Sequence, residues 1–300
     1  MHRTGRGWSR MSDHSEADGW NRGKEPDLKF SFCSTGLKEE PLENVLNLAQ
    51  EIGLQGVELW AGHIRGFLDG GGSLSQLQTM LEQRRLHVPA ISEYTCFSKG
   101  KQEAAGELRR IRTAAVWARE LGCPRIRSFA GHRPSRFVLA VEWDAVVSGL
   151  TEAAKSCRSE GVRLAVEIHN NTLADTAESL AALVRDIPAP GIELIYDGFN
   201  LFVDHLDPVP VLKRFFTDIG HVHFKDYHWN HEDWSRSEPV PILQGDAEHK
   251  TIFRTLMELG YGGFISFEYM GNPEQVVSNT KRSLAEIRHF AMEQQQERNG

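Results

Sequence analysis

The chain is short of cysteine. Its 300 residues hold four, Cys33, Cys96, Cys123 and Cys157, and none belongs to a C-x-x-C pair. That scatter excludes a disulfide framework and the paired-cysteine zinc folds. It leaves free thiols packed as small apolar side chains in a reducing compartment, so a cytoplasmic location is expected. No apolar run nears the ~20 residues of a membrane span, so no membrane partner is expected. The basic residues near the N-terminus are followed by no apolar core, so no secretory leader is expected. Positive charge is outnumbered: 34 Lys and Arg stand against 41 Asp and Glu, for a net charge of -7. A surface of that sign repels phosphodiester backbones, which argues against a nucleic-acid partner. No G-x-G-x-x-G follows the first β-like run, and GGGS at 70–73 lacks the lysine of a phosphate loop and reads as solvated linker.

Residues 1–27 are polar and are expected to form a disordered tail. From Leu28 onward, short β-like runs alternate with amphipathic, helix-like stretches. The runs are KFSFC, GVELW, HVPAIS, RIRSFAG, VRLAVEIHN, IELIYDGFN, HVHFKD and GFISFEYM. Eight such units in strict alternation predict a parallel sheet, and eight at this length predict a closed (β/α)8 TIM barrel in a single domain over residues 28–292. Residues 293–300 are set apart as a C-terminal tail.

HVHFKD, residues 221–226, is unusual for a buried strand. Successive side chains on a strand point to opposite faces. His221, His223 and Lys225 therefore share one face, and Val222 and Phe224 take the other. In a barrel the apolar face meets the helices. Polar groups inside are tolerable only near the mouth, where water, an ion or substrate satisfies them. The same parity places Glu167 and His169 inward, opposite Leu164, Val166 and Ile168. Asp197 lies opposite Ile192, Leu194 and Tyr196, and Glu268 opposite Ile265, Phe267 and Tyr269. Strands five to eight thus each bring one group able to ligate metal to the same rim: Glu167, Asp197, His223 and Glu268. A lone carboxylate at a strand end is ordinarily a loop acceptor or a helix cap, but four equivalent positions on successive strands argue for a shared site. Three acids and one imidazole repel and desolvate one another unless a divalent cation supplies the missing charge. The oxygen-rich donor set suits Mn²⁺ first, with Mg²⁺, Co²⁺ or Zn²⁺ also compatible. His221, one pleat deeper, reads as a supporting core residue. Lys225, one pleat nearer the mouth, can reach a substrate oxygen or snorkel at the rim.

The segments VRLAVEIHN, IYDGFN, HVHFKD and ELGYGGFISFEY resemble the sugar phosphate isomerase/epimerase family, the xylose isomerase-like TIM barrels. The resemblance implies a metal held by Glu167, Asp197, His223 and Glu268, the set already reached from parity and charge. It also implies proton transfer by Glu167 and Glu268, and substrate contacts at His169 and Lys225. Glu58 and Arg127 point inward by parity and are weaker substrate candidates; for Glu58 a structural pairing with an interior arginine such as Arg127 is the preferred reading over direct catalysis. Trp60 is either an apolar wall or packing. Type IV AP endonucleases share the barrel but carry several more histidines on a trinuclear zinc site. Here the corresponding position reads Asp197-Gly-Phe-Asn200, and Asn200 is a poor zinc ligand that fits a substrate contact better. The loop YHWNHEDWSRSEP adds His228 and His231 without a D-x-H spacing. It is expected to act as a lid or rim carrying Trp229 and Trp234.

The expected chemistry is isomerisation or epimerisation of a sugar by α-proton abstraction beside a carbonyl, through a metal-stabilised enediolate. Loss of a β-hydroxyl from the same enolate would instead make a dehydratase of a keto-cyclitol or keto-sugar. A sugar-binding or regulatory barrel with a structural metal is the alternative from another class. The expected partner is a small sugar or cyclitol, and self-association into a homo-oligomer is compatible with the composition.

Overall fold

The computed structural model describes residues 28–188 and 191–299. The expected N-terminal tail lies outside them. Eight parallel strands close into a barrel: β1 (Lys29–Cys33), β2 (Gly56–Trp60), β3 (Ile91–Ser92), β4 (Arg125–Ser128), β5 (Arg163–Glu167), β6 (Glu193–Asp197), β7 (Ile219–Phe224) and, last in sequence, β10 (Phe264–Phe267). The seam pairs β1 with β10 in parallel register, Phe30 beside Ile265 and Phe32 beside Phe267.

Parity sorts the strands as anticipated. Val57, Leu59, Ile126, Val166, Val222 and Phe267 are buried in the layer between barrel and helices. Ser31, Glu58, Arg127, Glu167, His221 and Ser266 are buried polar residues of the opposite parity. The interior of this barrel is therefore largely polar, where barrels of this kind are ordinarily filled by branched apolar side chains. Each buried polar group then needs a partner inside.

The helices follow the periodic segments. α1 (Leu42–Ile52) stops at Gly53, whose φ of 84° is the left-handed cap that glycine adopts without strain. α3 (Leu74–Arg84) starts at Ser73, which forms a capping box with Gln76, so the end of GGGS is a helix start. α4 (Lys101–Glu120), α5 (Ala140–Ser159), α6 (Ala177–Asp186), α8 (Pro208–Phe215), α9 (His249–Glu258) and α10 (Pro273–Asn299) take the other expected positions. α10 carries the segment 293–299 as continuous helix.

Three elements go beyond the expectation. α2 (Ala61–Asp69) follows β2 directly, and glycines in AGHIRGFLD obscure its periodicity. α7 (Gly198–Val203) begins within IYDGFN because Asp197 caps it. A small antiparallel hairpin, β8 (Asp226–His228) and β9 (Glu238–Val240), stands above β7. β3 is shorter than HVPAIS because Pro89 has no N–H for the ladder. Among the described residues no helix is long and apolar enough to cross a membrane.

Candidate functional site

Asp197 ends β6 and caps α7. Its Oδ1 accepts from the backbone N–H of Phe199 at 3.0 Å and of Asn200 at 3.2 Å. Capping thus occupies one oxygen, and Oδ2 faces the barrel axis, 2.7 Å from Lys225 Nζ. His223 pairs in register with Asp197 on one side and Ser266 on the other. Its Nε2 donates to Glu58 Oε2 at 2.8 Å. That bond turns Nδ1 toward Glu167 Oε1 at 3.7 Å and Glu268 Oε2 at 3.8 Å. Both distances are too long for hydrogen bonds, and the buried Nδ1 has no hydrogen-bond partner.

One donor atom from each of Glu167, Asp197, His223 and Glu268 lies within 4.8 Å of the others, and all four residues are buried. A buried, unpartnered imidazole nitrogen among three carboxylates fits a divalent ion bound by oxygen and one nitrogen. Cys33, Glu58 and His223 form a second close group, with Cys33 Sγ 3.8 Å from His223 Nε2. Its imidazole nitrogen is already committed to Glu58, so the first group is the better ion cradle.

Arg127 lies beneath it. Its Nε donates to Glu167 Oε2 at 2.5 Å, and its Nη2 contacts both Glu167 and Glu268, the latter at 2.7 Å. Tyr94 and Phe129 lie against the guanidinium, each ring centroid 5.3 Å away. Lys225 Nζ bridges Asp197 and Glu268, the latter at 3.0 Å. Four carboxylates, Glu58 included, thus face two permanent cations, Arg127 and Lys225, and the excess acidity favours further positive charge, from a protonated His223 or a bound cation.

The ionisation equilibria reflect this crowding. Burial, the largest single influence, disfavours charge on Glu167 and Glu268, but Arg127 and His223 together, joined by Lys225 at Glu268, hold both below the usual carboxylate range. Burial, reinforced by Glu167 and Glu268, raises Asp197 despite Lys225. Burial also opposes charge on His223 and Lys225. The acidic neighbours together overcome it, led by Glu58 at His223 and by Asp197 and Glu268 at Lys225, and both groups lie well above their ordinary values. His169 is depressed by burial and stays neutral. Its Nδ1 accepts from the Asn171 N–H at 3.2 Å, which leaves the proton on Nε2.

A cavity of about 390 Å³ opens over this group. Arg127, His169, Asn200, Lys225 and Glu268 line it, and of the two expected proton-transferring glutamates it is Glu268 that reaches it. Asn200 Nδ2 also donates to the Ile168 carbonyl at 3.0 Å. Glu58, expected as a substrate contact, is absent from the lining. It is 0% exposed and is spent below, where its Oε2 accepts from His221 at 3.0 Å as well as from His223, and its Oε1 accepts from Ser92 at 2.5 Å. Its separation from Arg127 Nη1 is 3.5 Å, so the imidazoles are its main partners. His221, also bonded to Ser266 at 2.9 Å, has the supporting position expected of it. Lys225 turns inward to the carboxylates instead of snorkelling. Trp60 packs against His63 and Lys38, outside the cavity lining. His228 and His231 lie exposed on the loop, apart from the four-residue group.

Sequence reasoning missed Tyr94, Phe129, Phe199 and Met270, which also line the cavity. The signal was present. Each lies two residues beyond an inward residue: Ser92, Arg127, Asp197 and Glu268. His169 and Lys225 stand in the same relation to Glu167 and His223. Together they form an upper ring one pleat above the carboxylates. Asp226 of HVHFKD does structural work: its carboxylate accepts from the N–H groups of Tyr227 and Gly245, each at 3.0 Å, and secures the hairpin base.

The fold and the polar rim define a parallel α/β barrel with acidic groups gathered at the C-terminal ends of its strands. The chain belongs to the xylose isomerase-like TIM barrel family, whose match spans residues 46–290. It is 22% identical to the 3-dehydroshikimate dehydratase of Bacillus anthracis over 260 residues, 82% of this chain and 92% of that one. It is 29% identical to the inosose dehydratase of Geobacillus kaustophilus over 144 residues, 44% of this chain and about half, 47%, of that relative. Among solved structures, an IOLI protein with a bound zinc atom superposes with a TM-score of 0.73 at 18% identity, covering 87% of this chain and 98% of that one. An L-ribulose 3-epimerase superposes with a TM-score of 0.72 at 19% identity, covering 91% and 97%.

Proposed function

We propose that the protein abstracts a proton beside the carbonyl of a small cyclic polyhydroxy ketone and eliminates the β-hydroxyl, as a metal-dependent dehydratase. Glu167, Asp197, His223 and Glu268 would hold one divalent ion, manganese or a chemically similar metal. When bound, the ion supplies Lewis-acid polarisation of the carbonyl. Glu268, the carboxylate on the cavity wall, takes the α-proton as general base. As the C–C double bond forms, the β-carbon–oxygen bond breaks. Lys225, held protonated by its neighbours, gives the departing hydroxide the proton that makes it water. His169 donates from Nε2 to a substrate oxygen, and Asn200 orients the ring.

The observation that carries this reading over epimerisation is the Arg127 bridge. Its guanidinium contacts both glutamates and keeps both ionised, so neither is poised to return a proton to the opposite face. Elimination needs only one carboxylate base and one cationic acid, which Glu268 and Lys225 provide. The dehydratases among the relatives support the same outcome. Isomerisation or epimerisation remains the second reading, favoured by the likeness to an L-ribulose 3-epimerase.

The test is incubation of manganese-loaded protein in D2O with 3-dehydroshikimate, inososes and ketoses, followed by NMR. A dehydrated, conjugated product supports the proposal. Deuterium at the α-carbon with inverted configuration assigns the second reading. E268Q is expected to bind metal yet exchange no α-proton. Absence of both a dehydrated product and α-proton exchange in the wild type with every ketone refutes both readings and favours a binding barrel.

A further inference from the structure

The cavity is larger and more aromatic than one polyol ring requires. A single six-membered polyol ring occupies roughly 150–200 Å³ at protein-like packing, so about 390 Å³ accommodates about two rings. The cavity also has two chemical halves. Arg127, His169, Asn200, Lys225 and Glu268 form an oxygen-binding floor. Phe199, Tyr227, Trp229, Trp234 and Met270 form an outer wall, contributed by α7, the hairpin and the residue after Tyr269.

The wall is a connected aromatic cluster. Phe199 lies 5.1 Å from Tyr227 and 5.5 Å from Trp229, and Trp229 lies 5.3 Å from Trp234, centroid to centroid. At its outer end Trp234 is 47% exposed and Met270 40%. Large apolar side chains left in solvent beside a polar cavity mark a surface that gains by being covered. The Trp229 indole nitrogen is buried without a hydrogen-bond partner, a cost relieved by an acceptor that arrives with a ligand. Arg127 and Lys225 are the cavity's only lysine or arginine among the described lining residues, and both are paired to carboxylates, so the outer half holds no cation for an anionic group.

We infer that the β8–β9 hairpin and Phe199 form a second subsite for an uncharged planar ring joined to the reacting polyhydroxy ketone, an aryl conjugate being the class that fits. The oxygen-rich ring sits on the floor, and the planar ring stacks on Trp234 and Trp229, with a linking oxygen as acceptor for the Trp229 N–H. This rests on the floor being the site proposed above, but it concerns ligand size and is read by binding.

The experiment is calorimetric titration of the manganese-loaded protein with p-nitrophenyl and methyl β-D-glucopyranoside. The aryl compound is expected to bind about tenfold or more tightly than the methyl compound. W234A should remove that preference, W234F should retain most of it, and W229F should weaken the aryl compound selectively. Equal affinity for the two compounds, binding of neither, or equal loss of both in W234A overturns the subsite. Sedimentation of wild type and W234A accompanies the titration. Dissociation of a wild-type dimer by W234A assigns the wall to a contact between copies and likewise overturns the inference. An aryl preference with neither a dehydrated product nor α-proton exchange from any ketone counts against the proposed chemistry and leaves the subsite standing, so the two failures are distinguishable.

Discussion

Replacing Glu58 with glutamine tests how the proposed metal site is aimed. The change is isosteric and leaves all four expected ligands in place. In the native protein Glu58 Oε2 accepts from His223 Nε2 at 2.8 Å and from His221 Nε2 at 3.0 Å. Those bonds hold a proton on Nε2 and present Nδ1 to Glu167 and Glu268, so that Nδ1 is the nitrogen that would give up its proton to a metal. A glutamine amide nitrogen can only donate, so one orientation loses both imidazole bonds and the other weakens them from charge-assisted to neutral. A charge-assisted bond exceeds its neutral counterpart by roughly 1–2 kcal/mol, and carboxylates behind metal-bound imidazoles ordinarily account for 10–100-fold in affinity, about 1.4–2.7 kcal/mol. E58Q should therefore bind Mn²⁺ 10- to 100-fold more weakly. Calorimetric titration measures this, and urea denaturation of the metal-free proteins separates it from a loss of fold. Unchanged affinity in a folded E58Q protein refutes the argument that Glu58 sets the His223 tautomer. The same affinity loss in a Ser92→Ala control, which spares the imidazole bonds, would refute its assignment to those bonds.

Arg127→Met should destabilise the metal-free protein by about 3–5 kcal/mol in urea denaturation, because Glu167 and Glu268 then face each other without their shared cation. Saturating Mn²⁺ should recover part of that loss, and a change below about 1 kcal/mol contradicts the ion-pair account. His63, 5% exposed and held between Ser34 Oγ and the Leu37 carbonyl, has its pKa lowered by burial. Its folded-state pKa lies below the unfolded one, so its contribution to stability is full above about pH 6.5 and is lost as pH falls through the lowered value. H63N should accordingly show a smaller drop in urea midpoint between pH 7.5 and 5 than the wild type, and an equal drop excludes His63 as a source. All four cysteines are buried, with Cys123 and Cys157 pushed up to about 12 by burial. A thiol-specific disulfide reagent should label none in the native protein within minutes and four in denaturant, and rapid native labelling would show a looser core.

The barrel and its carboxylate layer were legible because a strand has a period of two and a barrel has two environments. One helical contact layer demanded Val166, Tyr196, Val222 and Phe267, and parity then forced Glu167, Asp197, His223 and Glu268 inward. The roles of Glu58 and Lys225 were harder to read. Parity gives a side chain's face but not its partners across the barrel, and Glu58 turns to His221 and His223 instead of the cavity. The hairpin was beyond periodicity. Its strands have three residues each, and their geometry depends on contacts distant in sequence, such as Asp226 to Gly245 and Asn279 Nδ2 to the Pro239 carbonyl at 3.0 Å.

The upper ring suggests how one scaffold reconciles a crowded charge centre with selective chemistry. The lower layer is over-acidic, which favours a dication and makes apolar replacement there costly. Higher up, Tyr94, Phe129, His169, Phe199 and Lys225 follow one another around the cavity, above β3 to β7 in turn. The aromatic residues narrow the water-exposed cross-section above the carboxylates, which strengthens every charge interaction below. The two polar residues interrupt that collar where substrate oxygens must be met. Tyr94 and Phe129 follow β3 and β4, and Phe199 lies in α7, so changing these side chains alters what is admitted without moving Glu268, the proposed base. Substitution at Phe129 or Phe199 should therefore shift KM among ketones more than kcat, whereas substitution at Glu268 should reduce kcat with all of them. Parallel losses of kcat and KM selectivity at both layers would contradict this separation.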